Sequence, residues 1–154
     1  MTLSSNQTKV LAVASGGGHW VQLLRLRPAF WASEVVYVSV NNAYRADVAG
    51  NRFYRVSDAT RWSKLRLVRS ALQILLILLR ERPDVVVSTG AAPGYFAIRI
   101  GKLIGARTIW LDSIANVESL SMSGALVERY ADLWLTQWTH LAQENGPRFK
   151  GAVL

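Results

Sequence analysis

Short apolar runs recur along the chain, and segments with helical periodicity separate them. The clearest runs lie at 10–14, 34–40 and 85–87, with shorter ones at 108–111 and 132–136. Strands that are apolar on both faces and alternate with helices are typical of parallel sheets covered on both sides. The pattern therefore predicts an α/β fold with a doubly wound, mostly parallel, Rossmann-like sheet.

Weaker signals extend the same pattern. A short third strand is expected near 52–56 and a last one at 151–154. Gly105 follows one helical segment at the position where helices often end in glycine, and Ser63 is available as an N-cap for another. The helical segments lie at 20–26, 63–82, 94–104 and 125–130.

Length and composition exclude several classes of protein. The 154 residues fit one domain, 1–154, and 51% of them are hydrophobic, which excludes a disordered chain. There is no cysteine, which excludes disulfide scaffolds, thiol catalysis and cysteine-held metal sites. The two histidines, His19 and His140, are too few for a histidine-rich metal site. The apolar stretch at 10–14 is too short for the core of a signal peptide, which favours the cytoplasm.

The chain is basic and apolar at once. Lysine and arginine number 18 against 10 acidic residues, which gives a net charge of +8, and there are six tryptophans. This combination suits an anionic surface such as a phospholipid leaflet. Nucleic acid is the competing partner, but no zinc-finger, RRM or KH signature is present, and the arginines lie beside a leucine-rich run.

A glycine loop follows the first predicted strand and opens the first helix. Gly16, Gly17 and Gly18 would let backbone N–H groups approach a ligand, and a helix N-terminus favours negative charge. The spacing matches neither the G-x-G-x-x-G fingerprint nor a P-loop. His19 ends the loop and is a candidate base, because the ordinary histidine pKa of about 6.5 lies near neutrality. The alternative is a tight turn with a structural histidine.

Two further loops are expected at the same edge of the sheet, where open α/β folds bind ligands. Residues 88–94 combine small side chains, including Gly90, with a helix start. Residues 112–124 hold carboxylates, an amide and hydroxyls suited to a sugar, with Asp112, Asn116, Glu118 and Ser121 as candidates. The alternative interpretation of this third loop is a helix entry rich in capping residues.

Residues 63–82 form the most distinctive helical segment. Its leucine-rich part spans about 22 Å at 1.5 Å per residue, too short for a bilayer core of about 30 Å. It is expected to lie in the membrane interface, with arginines at the headgroups, or to be an ordinary sheet-covering helix whose arginines face water. One stripe carries Arg66, Arg69, Gln73 and Arg80, and a second carries Leu65, Val68, Leu72, Leu75 and Leu79, with Leu76 beside it.

The motifs together resemble a known family. Residues 15–19 (SGGGH), 83–90 (PDVVVSTG) and 118–124 (ESLSMSG), followed by Ala131-Asp132 and Gln137-Trp138, occur in the order seen in PssD-type polysaccharide-biosynthesis subunits. Those subunits are bacterial relatives of the membrane-anchoring subunit of the eukaryotic UDP-N-acetylglucosamine transferase. More distantly, the chain resembles the N-terminal half of MurG.

The resemblance implies the acceptor-side half of a split GT-B glycosyltransferase, with a separate donor-binding subunit as partner. The expected reaction is inverting, metal-free transfer from a UDP-sugar to a polyprenyl-pyrophosphate-linked acceptor, on the inner face of the cell membrane. His19 would be the base, the loop glycines would meet phosphate, and Asp112, Asn116 and Glu118 would orient acceptor hydroxyls. Eukaryotic anchoring subunits carry an N-terminal membrane helix, whereas residues 1–9 here are polar, so membrane contact is assigned to 63–82.

Two alternatives to this function remain. The first is a stand-alone nucleotide-binding Rossmann domain, such as a small oxidoreductase. The second strand and its exit, residues 37–42, offer no acidic residue for a ribose, which argues against it. The second is a non-catalytic adaptor that recruits a catalytic subunit to the membrane.

Overall fold

A computed structural model describes residues 7–60 and 62–153, and its centre is a seven-stranded sheet in which every paired strand is parallel. The spatial order is β3-β2-β1-β4-β5-β6-β7. The predicted doubly wound α/β fold is confirmed. The strands are β1 (Lys9–Ala14), β2 (Glu34–Ser39), β3 (Arg52–Arg55), β4 (Val85–Gly90), β5 (Arg107–Leu111), β6 (Leu133–Thr136) and β7 (Arg148–Phe149).

In the part of the chain that the structure describes, four α-helices accompany the sheet: α1 (Gly18–Arg25), α2 (Lys64–Glu81), α3 (Ala91–Leu103) and α4 (Met122–Leu126). Alternate residues of each strand point to opposite faces, and two separate core clusters result. Helices α2 and α3 cover one face with Ile74, Leu78 and Ile98, which pack on Leu11 and Val13 of β1. Helix α1 covers the other face with Trp20 and Leu23, beside Ala12 and Tyr37.

The order in which strands are added to the sheet changes direction beside β1. This strand pairs with β2 on one side and β4 on the other, so the connections after β1 and β4 leave in opposite directions. Such a switch point opens a crevice at the carboxyl ends of the two strands. The glycine loop and Gly90 therefore meet there.

Two predicted elements are wrong in position. The helix expected at 125–130 begins at Met122, because the Ser121 hydroxyl caps it by accepting from the Gly124 N–H at 2.8 Å. The last strand is Arg148–Phe149, and residues 151–153 form no strand. Instead, the Val153 N–H donates to the Gln137 side chain at 2.7 Å. Leu154, the end of that predicted strand, lies outside the described residues. Ser63 occupies the N-cap position of α2 without a side-chain capping hydrogen bond.

Candidate active site and membrane face

His19 and Gly90 are in direct contact at the crevice between β1 and β4. A Cβ on residue 90 would overlap Nδ1 and Cε1 of the His19 ring, and the backbone at Gly90 has φ +144°. Only glycine adopts that conformation readily and leaves space for the ring. The structure thus brings together residues from two of the three predicted loops.

Two hydrogen bonds fix the orientation of His19. Its Nδ1 lies 2.9 Å from the Thr89 carbonyl oxygen, and the Thr89 hydroxyl donates to the His19 carbonyl at 2.7 Å. A carbonyl oxygen only accepts, so Nδ1 must carry the proton in this pair. In the neutral ring, Nε2 is then the unprotonated nitrogen, and it can accept a proton from a substrate. Thr89 was not among the predicted site residues, although its position beside Gly90 in the second predicted loop could have indicated it as one.

The glycine loop also depends on a tyrosine that sequence reasoning missed. Tyr44 accepts a hydrogen bond from the Gly17 N–H at 3.0 Å and stacks on Trp20 with ring centroids 4.9 Å apart. Gly17 has φ +63° and ψ −133°, which a side chain would strain. A Cβ on Gly16 would lie 3.3 Å from the Tyr44 hydroxyl. The Gly17 N–H is thus used within the protein, and the predicted role of all three glycines as phosphate donors stays a prediction.

Two helices begin at this crevice. Helix α1 starts at Gly18, and α3 starts at Ala91 directly after Gly90. Neither helix has an acidic residue in its first turn or a side-chain cap. The positive ends of both helix dipoles therefore face the crevice without a competing carboxylate, an arrangement that suits phosphate.

A polar cavity of about 500 Å³ adjoins the glycine loop. Gly16 and Tyr44 form one wall, and Asn41, Arg55 and Asp58 from the ends of β2 and β3 form the other. Arg55 is exposed and supplies a cation beside the loop. The Asn41-Asn42 turn was recognised in the sequence as a strand exit, but nothing in the sequence indicated that it borders this cavity.

Asp112 organises the third loop from within. Its carboxylate accepts from the Ser121 N–H at 2.8 Å, the Ser121 hydroxyl, the Trp110 indole at 3.2 Å and the Asn116 amide at 3.4 Å. The residue is 2% exposed. A Cβ on Gly124 would lie 2.5 Å from Oδ1, so the loop closes tightly over it. With both oxygens occupied, Asp112 holds the loop, and direct contact with acceptor hydroxyls does not fit this geometry.

Glu118 is the carboxylate that the same loop exposes to solvent, while Asn116 is half-buried. Ser121 is occupied by Asp112 and by its cap on α4. Of the four candidates predicted in this loop, Glu118 is the exposed one. Its predicted role in acceptor binding stays a prediction.

A buried pair of glutamines joins the third loop to α1. Gln22 donates to Ser113 Oγ at 3.1 Å and accepts from the Ile114 N–H at 3.0 Å. Gln137 donates to Gln22 Oε1 at 2.5 Å and to the Asp112 carbonyl at 2.9 Å. The helix that carries His19 is thus linked to the loop that carries Glu118. Gln137 belongs to one of the motifs noted in the sequence, whereas Gln22 had no signal.

Helix α2 presents an apolar stripe to solvent on the side opposite its buried residues, the reverse of the usual amphipathic arrangement. The exposures of Leu65, Val68, Leu72 and Leu79, all on the predicted leucine stripe, lie between 52% and 86%, and Leu76 is 66% exposed. Leu75 is half-buried and lies at the margin. The stripe, called the leucine face below, consists of Leu65, Val68, Leu72, Leu76 and Leu79.

On α2, basic residues are exposed and the acidic residue is buried. The exposed charged residues of the helix are all cationic: Lys64, Arg66, Arg69 and Arg80. Its acidic residue, Glu81, is 3% exposed and lies at the far end. Tyr54 donates to Glu81 at 2.5 Å, which raises the pKa of Tyr54, and Arg52 approaches the other oxygen at 3.0 Å. This contact pins one side of α2 to the sheet and leaves its outer side basic and apolar.

Within residues 7–60 and 62–153, no helix combines the length and apolarity needed to cross a bilayer.

The sequence matches a described family and several curated proteins. Residues 41–153 match the family described as "Oligosaccharide biosynthesis protein Alg14 like", and the chain belongs to that family. It is 28% identical to the UDP-N-acetylglucosamine transferase subunit ALG14 of Eremothecium gossypii over 94% of this chain and 80% of the relative. It is 34% identical to the subunit of the same name from Yarrowia lipolytica over 42% of this chain and 33% of the relative. The resemblance noted in the sequence is confirmed.

Solved structures share the fold. MurG of Acinetobacter baumannii superposes with a TM-score of 0.75 at 12% identity, covering 92% of this chain and 45% of that chain. The UDP-N-acetylglucosamine 2-epimerase of Rickettsia bellii superposes with a TM-score of 0.71 at 14% identity, covering 96% of this chain and 46% of that one. The chain thus spans less than half the length of these enzymes. These structures confirm the Rossmann-like fold that the sequence predicts.

Proposed function

We propose that this chain is the acceptor-side, membrane-associated subunit of a two-component glycosyltransferase. The enzyme transfers a sugar from a UDP-sugar to a polyprenyl-pyrophosphate-linked acceptor. Membership of the Alg14-like oligosaccharide-biosynthesis family is the observation that carries this proposal. The curated relatives are named as subunits of a UDP-N-acetylglucosamine transferase, which supports both the reaction and a separate donor-binding partner.

The geometry of the crevice supports a direct part in the chemistry. Nε2 of His19 takes the proton of the acceptor hydroxyl as that oxygen attacks the anomeric carbon of the donor. The new bond forms on the face opposite the leaving UDP, so the configuration at that carbon inverts. The Thr89 carbonyl holds Nδ1 and keeps the ring in the tautomer that this step needs.

The remaining groups bind and orient. The N-termini of α1 and α3 face phosphate, Glu118 contacts an acceptor hydroxyl, and Asp112 acts through the loop that it holds. Helix dipoles and side chains stabilise the departing UDP, and transfer proceeds without a metal ion. Transfer that persists in excess chelator is the expected result.

The leucine face supports attachment to the inner leaflet of the cell membrane. Its apolar side chains enter the headgroup region, and the arginines beside it meet lipid phosphates. The subunit is then peripheral, with its crevice held close to a lipid-linked substrate.

A reconstituted transfer assay tests the whole proposal. Anionic membranes that contain the acceptor receive UDP-sugar together with this chain, the donor-binding subunit, or both. Transfer only with both subunits is the expected result. Transfer by this chain alone would contradict the split enzyme. Full transfer by the donor-binding subunit once it is tethered to the membrane by another anchor would favour the adaptor.

A further inference from the structure

An apolar groove of about 450 Å³ lies between the first turns of α2 and α3 and helix α4. That volume lies within the range of roughly 300–1,000 Å³ found for small-molecule sites. The lining includes Leu67 of α2, Ala91, Ala92 and Phe96 of α3, and Met122 and Leu126 of α4. Met122 and Leu126 are 57% and 54% exposed, so the groove is open to solvent along α4.

One end of the groove lies beside the crevice. At one end, Ala91 directly follows Gly90, against which the His19 ring lies. At the other end, Leu67 lines the groove from the same side of α2 as the buried Ile74 and Leu78. An apolar chain that lies in this groove therefore has one end beside the N-terminus of α3 and the His19 ring.

We propose that this groove binds the first isoprene units of the lipid-linked acceptor, an inference that rests on the proposed function. The three chemical parts of such a molecule follow the same order as the surfaces of the protein. The apolar tail lies in the groove, the pyrophosphate meets the N-terminus of α3, and the sugar reaches His19. The groove then positions the reacting hydroxyl beside His19.

Binding of geranyl pyrophosphate, compared with inorganic pyrophosphate, tests the groove without requiring transfer. The full chain, in complex with its donor-binding subunit, is titrated with each compound in detergent-free buffer. Burial of the ten-carbon chain is expected to make geranyl pyrophosphate bind roughly tenfold tighter or more, on the gain per buried methylene. Equal affinity for the two compounds would overturn the proposal.

Substitutions in the groove test whether the preference for geranyl pyrophosphate arises there. In Ala92→Phe, the ring fills the groove from α3, and the preference for geranyl pyrophosphate is expected to disappear. Leu126→Gln changes the opposite wall and is expected to reduce the same preference. Leu103→Gln is the matched control, because Leu103 is a 73% exposed leucine on α3 that does not line the groove. A preference that survives in both groove variants would overturn the assignment.

A transfer assay separates failure of the groove from failure of the proposed function. Two acceptors carry the same sugar pyrophosphate, one with a ten-carbon isoprenoid and one with a methyl group. Ala92→Phe is expected to lower the ratio of their kcat/KM values to near unity, whereas Leu103→Gln keeps the ratio of the unmodified enzyme. A ratio that Ala92→Phe leaves unchanged contradicts the groove alone. No transfer to either acceptor by the unmodified enzyme contradicts the proposed function, while the binding experiment still decides the groove.

Discussion

The ring of His19 occupies the space in which residue 90 would carry a side chain. Gly90 belongs to β4 and His19 to α1, 71 positions earlier in the chain, and the contact exists because β1 and β4 are neighbours in the sheet. Nδ1 of the same ring is held by the carbonyl of Thr89. Backbone geometry at the end of β4 therefore decides where Nε2 points.

Gly90→Ala is expected to displace the histidine and to strain the backbone at once. Transfer should fall at least as far as it does on loss of His19, because the ring cannot keep its place. The control is Gly105→Ala, where φ is +91° and nothing lies within 4 Å of the added Cβ. That variant should lose about 1–2 kcal/mol of unfolding free energy from the left-handed backbone alone, with transfer retained. Urea unfolding and the transfer assay, applied to both variants, measure the difference.

His19→Ala should lower turnover roughly 100-fold or more, the usual scale of general acid–base catalysis, while complex formation persists. His19→Asn is the sharper variant, because its amide nitrogen can still donate to the Thr89 carbonyl but cannot act as the base. Both should be equally inactive. His140→Ala, which alters the exposed second histidine, is the control and should retain activity. Turnover that is unchanged in His19→Asn would remove His19 from the mechanism.

Substitution of Asp112 is expected to lower stability, whereas substitution of Glu118 is expected to weaken acceptor binding. Asp112→Ala leaves the Ser121 N–H and the Trp110 indole without their acceptor, so a loss of about 2–3 kcal/mol of unfolding free energy is expected. Glu118→Gln changes an exposed side chain and should leave stability within about 0.5 kcal/mol. Its expected effect is a raised KM for the acceptor. The outcome that contradicts this division is a destabilised Glu118→Gln with unaltered kinetics.

The strands were predictable because their sequence is nearly all buried. Val10 to Ala14 and Val35 to Val38 are covered on both faces, so hydrophobicity alone marked them. The strand Arg148–Phe149 has two exposed residues and gave no such signal. Residues 151–154 suggested a strand, but in the described part of that segment the Val153 N–H donates to the Gln137 side chain instead. A hydrophobic pattern therefore locates strands that are buried on both faces. It does not detect segments at the edge of the sheet that polar contacts hold in place.

The sequence identified the loops that form the candidate site, but not which residues contact one another within it. Glycines and a histidine after β1 marked the crevice, because parallel sheets bind ligands at their carboxyl ends. The contacts of His19 with Gly90 and Thr89, and of Gly17 with Tyr44, depend on strand order, which local sequence does not encode. Asp112 was interpreted from its chemistry as a substrate ligand, whereas the hydrogen bonds that it accepts in the fold show that both of its oxygens are already occupied.

Asp132 links β5 to α3 and makes the free energy of unfolding depend on pH in the acid range. The Lys102 ammonium, with help from hydrogen bonds donated by Thr108, holds the pKa of Asp132 below its ordinary value. Because the folded pKa is lower than the unfolded value of about 3.9, the contribution is present above about pH 4 and disappears as pH falls through the folded pKa. Asp132→Asn should cost under about 1 kcal/mol at pH 7, since the carboxylate is partly exposed. Its stability should converge with that of the unmodified chain at low pH, whereas the exposed Glu128→Gln should be neutral at pH 7.

The leucine face should determine membrane affinity independently of the crevice. Leu72→Glu combined with Leu76→Glu places two carboxylates where apolar side chains meet the headgroups, so binding to anionic vesicles should fall by roughly tenfold or more. Arg66→Glu with Arg69→Glu should weaken the same binding through charge, and added salt should reduce the difference. Val21→Glu is the control, because Val21 is 47% exposed on α1, which covers the opposite face of the sheet. Vesicle co-sedimentation with circular dichroism on each variant measures both affinity and folding. Equal co-sedimentation of folded Leu72→Glu/Leu76→Glu and the unmodified chain would make α2 an ordinary sheet-covering helix, and the apolar stripe would then need a protein partner to cover it.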